Sequence, residues 1–167
     1  VDLVIVSSTD GTLAWYPNVD GKGTFGAKHV VSTTLSNATG LAVADIDGDG
    51  SLDIVYSASA GATSVGWFRN LGGGNFDGGQ LISATPESAG AASVFPADID
   101  GDGDLDVLVA ATNGSYVLWY ENTRAAAPNG WPQHIVTSAP GGMKYAFSAD
   151  LDGDGAVDVL SASDTGV

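Results

Sequence analysis

The chain contains no cysteine. That excludes a disulfide framework, a thiolate metal site and a cysteine nucleophile, although it does not fix a compartment. Basic residues are scarce: five Lys and Arg stand against twenty Asp and Glu, a formal net charge of −15. Nucleic acid binding needs a basic footprint, so no nucleic acid partner is expected. No run of eighteen apolar residues occurs, so no membrane span is expected. No Gly-x-Ser-x-Gly motif is present, which leaves serine-type nucleophilic catalysis without an anchor. No segment carries a convincing helical period. No signal peptide is visible and the first residue is Val1, which reads as a mature, processed or excised segment.

What is abundant is glycine, 24 in 167 residues, within a 44% hydrophobic composition rich in Val, Ile, Thr and Ser. Such a chain can bury a core, unlike a disordered one, and points to many short strands and tight turns. The length suits one ordinary domain.

The organising feature is a repeat. Trp15, Trp67 and Trp119 are 52 residues apart, and Asn18, Asn70 and Asn122 keep the same spacing. "TLAWYPN", "SVGWFRN" and "YVLWYEN" are copies of one segment; "KHVVST", "GQLISA" and "QHIVTS" are copies of another. Phe25, Phe76 and Trp131 hold an equivalent aromatic place. The units run over about 1–51, 52–104 and 105–156, and 157–167 starts a further one. In the middle unit, strands are expected over 52–60, 64–70, 80–84 and 93–97, with "LGGGNFDGG" and "TPESAG" as loops. The turn slot after the first strand carries Asp10-Gly11, Gly61-Ala62, Asn113-Gly114 and Thr165-Gly166. Four strands in about fifty residues, repeated, describe a propeller blade. The fold class is therefore all-β: a single β-propeller segment of about three four-stranded blades. Because 157–167 repeats 1–11, further blades are expected, from a longer chain or from further copies.

Most of the acidic residues fall in three stretches, "ADIDGDGSLDIV", "ADIDGDGDLDVL" and "ADLDGDGAVDVL". Their spacing is Asp-x-Asp-x-Asp-Gly-x-x-Asp. Carboxylates at positions 1, 3 and 5 of a tight loop converge, glycine at 6 permits the sharp turn, and position 7 offers a backbone carbonyl. This is an oxygen-only ligand set of the kind calcium prefers, and magnesium's tight octahedron suits it less. No acid stands at position 12, so the EF-hand is excluded and position 9 must close the site. The expected ligands are Asp45, Asp47, Asp49, Asp53 and the Ser51 carbonyl. In the second loop they are Asp98, Asp100, Asp102, Asp106 and the Asp104 carbonyl. In the third they are Asp150, Asp152, Asp154, Asp158 and the Ala156 carbonyl. Three calcium ions follow, one per loop. Crowded carboxylates repel without a cation, so bound calcium should stabilise the fold. A metal that every unit carries is expected to be structural rather than catalytic. Paired carboxylates also suit a glycosidase, but these are better used as ligands.

"DIDGDGDLDVLVA" followed by "VLWYEN" resembles the FG-GAP / VCBS repeat family, the blades of integrin-α-type β-propellers. The resemblance covers nearly the whole chain. It implies calcium in the Asp-rich loops and an extracellular or cell-surface place, with roles in adhesion, ligand binding or carbohydrate recognition. The Phe-Gly…Gly-Ala-Pro pattern is degenerate here ("VFPADID", "KYAFSADLD", "TGLAVADID"), which favours a generic VCBS-type array.

The expected function is a non-enzymatic, calcium-stabilised extracellular scaffold or protein-interaction module. The alternatives are a carbohydrate-binding lectin propeller, with Trp15, Trp67 and Trp119 as sugar platforms instead of packing anchors, and an accessory domain of a secreted hydrolase. The insert "TRAAAPNGWPQ" is peculiar to the third unit, and Trp131, Lys144 and Tyr145 are candidates for a ligand-binding surface, glycan or protein. His29 and His134 are expected to be strand-surface residues. Asn37-Ala38-Thr39 and Asn113-Gly114-Ser115 fit the glycosylation acceptor pattern, so Asn37 and Asn113 are candidate acceptors.

Overall fold

The computed structural model describes residues 1–59, 64–124, 130–138 and 141–164. The turn residues Gly61-Ala62 and Thr165-Gly166, and positions 125–129 of the third-unit insert, lie outside the described residues. Among the described residues there is no α-helix; a single 3-10 turn at Pro86–Ser88 occupies the segment expected as a loop.

Among the described residues fifteen strands follow one another: β1 (Leu3–Val6), β2 (Leu13–Tyr16), β3 (His29–Ser32), β4 (Ala38–Ala44), β5 (Asp53–Ala58), β6 (Val65–Phe68), β7 (Asn70–Gly72), β8 (Asn75–Phe76), β9 (Gln80–Ser83), β10 (Ala91–Ala97), β11 (Asp106–Ala111), β12 (Tyr116–Tyr120), β13 (Gln133–Ser138), β14 (Met143–Ala149) and β15 (Asp158–Ser163). They form two four-stranded sheets, β4-β5-β6-β9 and β10-β11-β12-β13, flanked by a three-stranded sheet β1-β2-β3 and a pair β14-β15. All these pairings are antiparallel and join successive strands, except that β6 pairs with β9 across the intervening β7 and β8. This is the all-β, blade-like architecture expected of the repeat. The hydrogen-bonded sheets are out of phase with the sequence periods. The strand before each Asp-rich loop pairs with the strand after it, so β10 joins β11 rather than β9. The glycine-rich stretch after Asn70, expected as a loop, contains the β7-β8 ribbon.

Why the strands launched by the Asp loops are apolar on both faces is visible in the core. Every residue of β5 and of β11 is buried. Alternate side chains of a strand point to opposite faces of its sheet. In β5, Ile54 and Tyr56 enter one cluster with Leu13, Leu35 and Phe68, while Val55 enters the next with Trp67 and Val94. In β11, Val107 and Val109 face that same second cluster, and Leu108 and Ala110 face a third with Val117 and Met143. Each central strand therefore feeds two interfaces between sheets. Full burial of such a Val or Leu side chain contributes roughly 1.5–3 kcal/mol.

The first strands of neighbouring sheets, β4, β10 and β14, pack side by side. A β-carbon on Gly40 would fall 2.8 Å from Ser57 Oγ and 3.2 Å from Ser93 Cα, so the backbones meet at a distance only glycine permits. Thr39 Oγ1 donates to the Ala91 carbonyl at 2.5 Å, and Ala146 N donates to Ser93 Oγ at 3.2 Å. Each of the three strands carries a bulge in the same place, at Ala38/Gly40, Ala91/Ser93 and Met143/Tyr145. The unpaired residues there are Thr39, Ala92 and Lys144.

Candidate metal centres

Each Asp-rich loop joins a first strand to a central strand and is built by its own carboxylates. In loop 1, the Oδ2 atom of Asp45 accepts Gly50 N–H at 2.9 Å, Asp47 accepts Asp49 N–H at 3.1 Å, and Asp49 accepts Ser51 N–H at 2.8 Å. Loop 2 repeats the set: Asp98 accepts Gly103 N–H, Asp100 accepts Asp102 N–H, and Asp102 accepts Asp104 N–H. Loop 3 does so again with Asp150 and Gly155, Asp152 and Asp154, and Asp154 and Ala156. Such short-range side-chain to backbone bonds favour turns over regular ladders. The glycine at position 6 has a left-handed backbone in all three loops, φ +89°, +94° and +91° at Gly50, Gly103 and Gly155. A side chain there would be strained.

The last acid of each motif is the first residue of the central strand and acts as a clamp. Asp53 Oδ2 accepts Ile46 N–H at 2.9 Å and its Oδ1 accepts Asn70 N–H at 2.8 Å. Asp106 does the same with Ile99 and Asn122, and Asp158 Oδ2 accepts Leu151 N–H. The clamp ties the loop entry to the end of the third strand. Asp2 Oδ1 accepts Asn18 N–H at 2.9 Å, so the same bond occurs in the first unit.

Three carboxylates of each loop converge. Asp45, Asp47 and Asp53 each offer an oxygen within 4.8 Å of the others, as do Asp98, Asp100 and Asp106, and Asp150, Asp152 and Asp158. These are positions 1, 3 and 9. Asp49, Asp102 and Asp154, at position 5, lie outside these groups. The carbonyls of Ser51, Asp104 and Ala156 stand at position 7 of the same turns.

Two features of the donor set suit a hard cation. Asp45 Oδ1 is buried and has no hydrogen-bond partner. A buried unpaired acceptor is costly unless something positive meets it. Asp53 and Asp106 are 0% and 1% exposed, and burial pushes both carboxyls above the ordinary carboxylate range. At Asp106 the nearby Asp100 and Asp102 add to this. Oxygen-only groups of this kind, closed by a buried acid in loops 1 and 2 and more exposed in loop 3, fit a calcium ion. Arginine partly offsets the charge in two loops. Arg69 contacts Asp47 at 2.5 Å and Asp49 at 3.0 Å, and Arg124 pairs with Asp104. The Ser51 N–H, and then Arg69, hold Asp49 below the usual carboxylate range, and Asp49 and Asp47 raise Arg69 in turn. These exposed ion pairs contribute little to stability.

The other candidate residues fall in different places. Lys144 and Tyr145 line a pocket of about 420 Å³ with Thr39, Ser59, Gly90, Ala92, Thr112 and Asn113. All three bulge residues, Thr39, Ala92 and Lys144, face it. Trp131 is elsewhere, half-buried against the core between the two four-stranded sheets. Trp67 is buried in that core, while Trp15 stacks on His29 at 4.5 Å and Trp119 on His134 at 4.2 Å. His134 Nε2 also meets Glu121 Oε2 at 2.9 Å. Asn37 and Asn113 are exposed. A role for Asn70 and Asn122 was not anticipated, although their 52-residue recurrence was the available signal. Their main-chain N–H groups hold the clamp carboxylates, and their side-chain amides reach Leu52 and Leu105 carbonyls.

A three-fold antiparallel repeat with one acidic hairpin turn per unit defines a blade-type repeat protein. The model of the FG-GAP-like repeat matches residues 1–56, 55–109 and 98–161, and the chain belongs to that family. No curated protein matches the chain.

Proposed function

We propose that the chain, one propeller segment over 1–167, is a non-enzymatic, calcium-stabilised interaction module that works outside the cell. The carrying observation is the buried, unpartnered Asp45 Oδ1 beside Asp47 and Asp53, within a group that recurs twice more. Asp45, Asp47 and Asp53, with Asp49 and the Ser51 carbonyl from the same turn, hold one ion. Asp98, Asp100, Asp102, Asp106 and the Asp104 carbonyl hold a second. Asp150, Asp152, Asp154, Asp158 and the Ala156 carbonyl hold a third. Each ion pins the turn from which a central strand departs, fully buried in β5 and β11 and half-buried in β15, and the sheets it secures present their loops to a partner. Membership of the FG-GAP-like repeat family supports a scaffold or interaction role. No helix among the described residues is long and apolar enough to cross a membrane. The deciding experiment is a calorimetric calcium titration of the chelator-stripped protein. About three ions per chain are expected, and a flat titration overturns the proposal.

The pocket lined by the three bulge residues favours a second reading, a carbohydrate-binding propeller. Its hydroxyls, the Asn113 amide and the exposed Tyr145 ring suit a polyhydroxylated ligand. Glycan-array binding lost in Tyr145→Ala would displace the protein-interaction reading; no binding leaves the scaffold in place.

A further inference from the structure

The strands of one blade need not know whether the loop of the next is loaded, unless something joins the loops. Asn122 joins them. It is 5% exposed and every polar atom of its side chain is engaged. Its Nδ2 donates to the Ile46 carbonyl of loop 1 at 2.8 Å and to the Leu105 carbonyl of loop 2 at 3.1 Å. Its Oδ1 accepts Arg124 N–H at 3.2 Å. Its main-chain N–H donates to Asp106 Oδ1 at 2.8 Å. On the other side, Ile46 N–H donates to Asp53 Oδ2 at 2.9 Å. The buried carboxylates of Asp53 and Asp106, each the closing acid of one candidate metal group, are thus connected through the main chain of one residue, Ile46, and one asparagine.

We propose that Asn122 makes the first two calcium loops a coupled pair, so that an ion entering either raises the affinity of the other. The inference rests on the calcium reading above and concerns how its first two sites communicate. Ile46 is 1% exposed and packs in the core with Tyr120 and Leu105. Neither its N–H nor its carbonyl can turn to water, and breaking either bond would strand a buried polar group. A cation that fixes Asp53 therefore fixes Ile46, which fixes the Asn122 amide and the acid it holds. Arg124 gives a second contact. It pairs with Asp104 of loop 2, and its guanidinium lies where a β-carbon on Gly48 of loop 1 would fall, 2.8 Å from Nη2. Coupling of this kind is reciprocal: each loop changes the other by the same factor. Loop 3 is the internal control. It has the same clamp, Leu151 N–H to Asp158, and among the described residues no side-chain amide ties it to loop 1.

The test is a calcium titration of the full chain followed by the amide resonances of Gly50, Gly103 and Gly155. These donate to Asp45, Asp98 and Asp150 and so report one loop each. Asp100→Asn disables loop 2 and keeps the Oδ1 acceptor for Asp102 N–H. It should weaken the Gly50 transition about fivefold or more, whereas Asp152→Asn should leave Gly50 in place. In an Asn122→Ala background, Asp100→Asn should no longer move Gly50. If Asn122→Ala does not fold, the comparison of Asp100→Asn with Asp152→Asn decides. Should Gly50 titrate identically in wild type and Asp100→Asn, the coupling is refuted while calcium binding stands. Should none of the three glycines respond to calcium, both ideas fall.

Discussion

Asp53 clamps two main-chain N–H groups and is a proposed calcium ligand, and comparison with Asp47 separates the two roles. Each of its oxygens holds a main-chain N–H, from Ile46 at 2.9 Å and from Asn70 at 2.8 Å, at a site with no solvent exposure. In Asp53→Asn only one oxygen remains, and an NH2 group confronts the other N–H. A stranded buried donor costs about 1–3 kcal/mol, and the lost bond to a charged acceptor about 1.5–3 kcal/mol. Neutralising the side chain removes the burial penalty that raises its pKa, which offsets part of this. The net loss expected in excess chelator is about 2–4 kcal/mol. Asp47→Asn is the comparison. It retains the acceptor for Asp49 N–H and gives up only an exposed pair with Arg69, worth under about 1 kcal/mol. Free calcium about a hundredfold above its dissociation constant adds about 2.7 kcal/mol per filled site to wild type, and both variants should forfeit the loop 1 share. Urea unfolding followed by tryptophan fluorescence, in chelator and in calcium, measures all four differences. If the two variants are equally stable in chelator, the clamp is not structural. If calcium does not widen the gap between wild type and Asp47→Asn, loop 1 does not hold the ion.

The pH response should change sign with calcium. In chelator, burial gives Asp106 a raised folded pKa, so its titration contributes stability that is present below the unfolded carboxylate value and lost as pH rises through the folded one. The advantage of wild type over Asp106→Asn should then shrink with rising pH in chelator and grow in calcium, where only the ionised acid binds; equal slopes in both buffers would count against this. Stripping calcium from wild type should lower the melting temperature by well over ten degrees, at about 2–4 °C per kcal/mol for a chain of this size; an unchanged melt in differential scanning calorimetry removes the structural role. Gly40→Ala should cost about 1–3 kcal/mol by forcing β4 away from β10, and a neutral effect in urea unfolding would mean that the backbones relax there. Leu108→Ala should cost about 2–5 kcal/mol, since it faces the third core cluster from the centre of a sheet; a loss below 1 kcal/mol would contradict that placement.

Much of the architecture was legible because the chain states it three times. The strands expected over 52–60, 64–70, 80–84 and 93–97 are found as β5, β6, β9 and β10, with ends that differ by at most two residues. The doubly buried character of β5 follows from a run of Val, Ile and Tyr with no polar face. The acidic turn was legible because aspartates at alternating positions around glycine have few other uses. What was not legible depends on distance in the chain. Nothing near Asn122 tells that its amide would meet a carbonyl 76 residues earlier. Nor does the spelling of the motif show that the closing acid spends its oxygens on two N–H groups while position 5 turns to Ser51, Asp104 or Ala156. Trp131 and Tyr145 share the property of being unique to their unit, yet one packs inward and the other stands 65% exposed. Uniqueness in a repeat marks a difference without saying which face it lies on.

Because β5 and β11 each lend side chains to the sheets on either side of them, no sheet here owns its core. Stability should grow with the number of contacts between neighbours rather than with the number of sheets. A unit inserted or deleted in whole periods would preserve every such contact except at the join. A cut inside a period would expose two apolar faces at once. Recombination in register is thus cheap for such a fold and out of register is ruinous, which is one physical reason that a 52-residue period can persist while the residues facing its pockets drift.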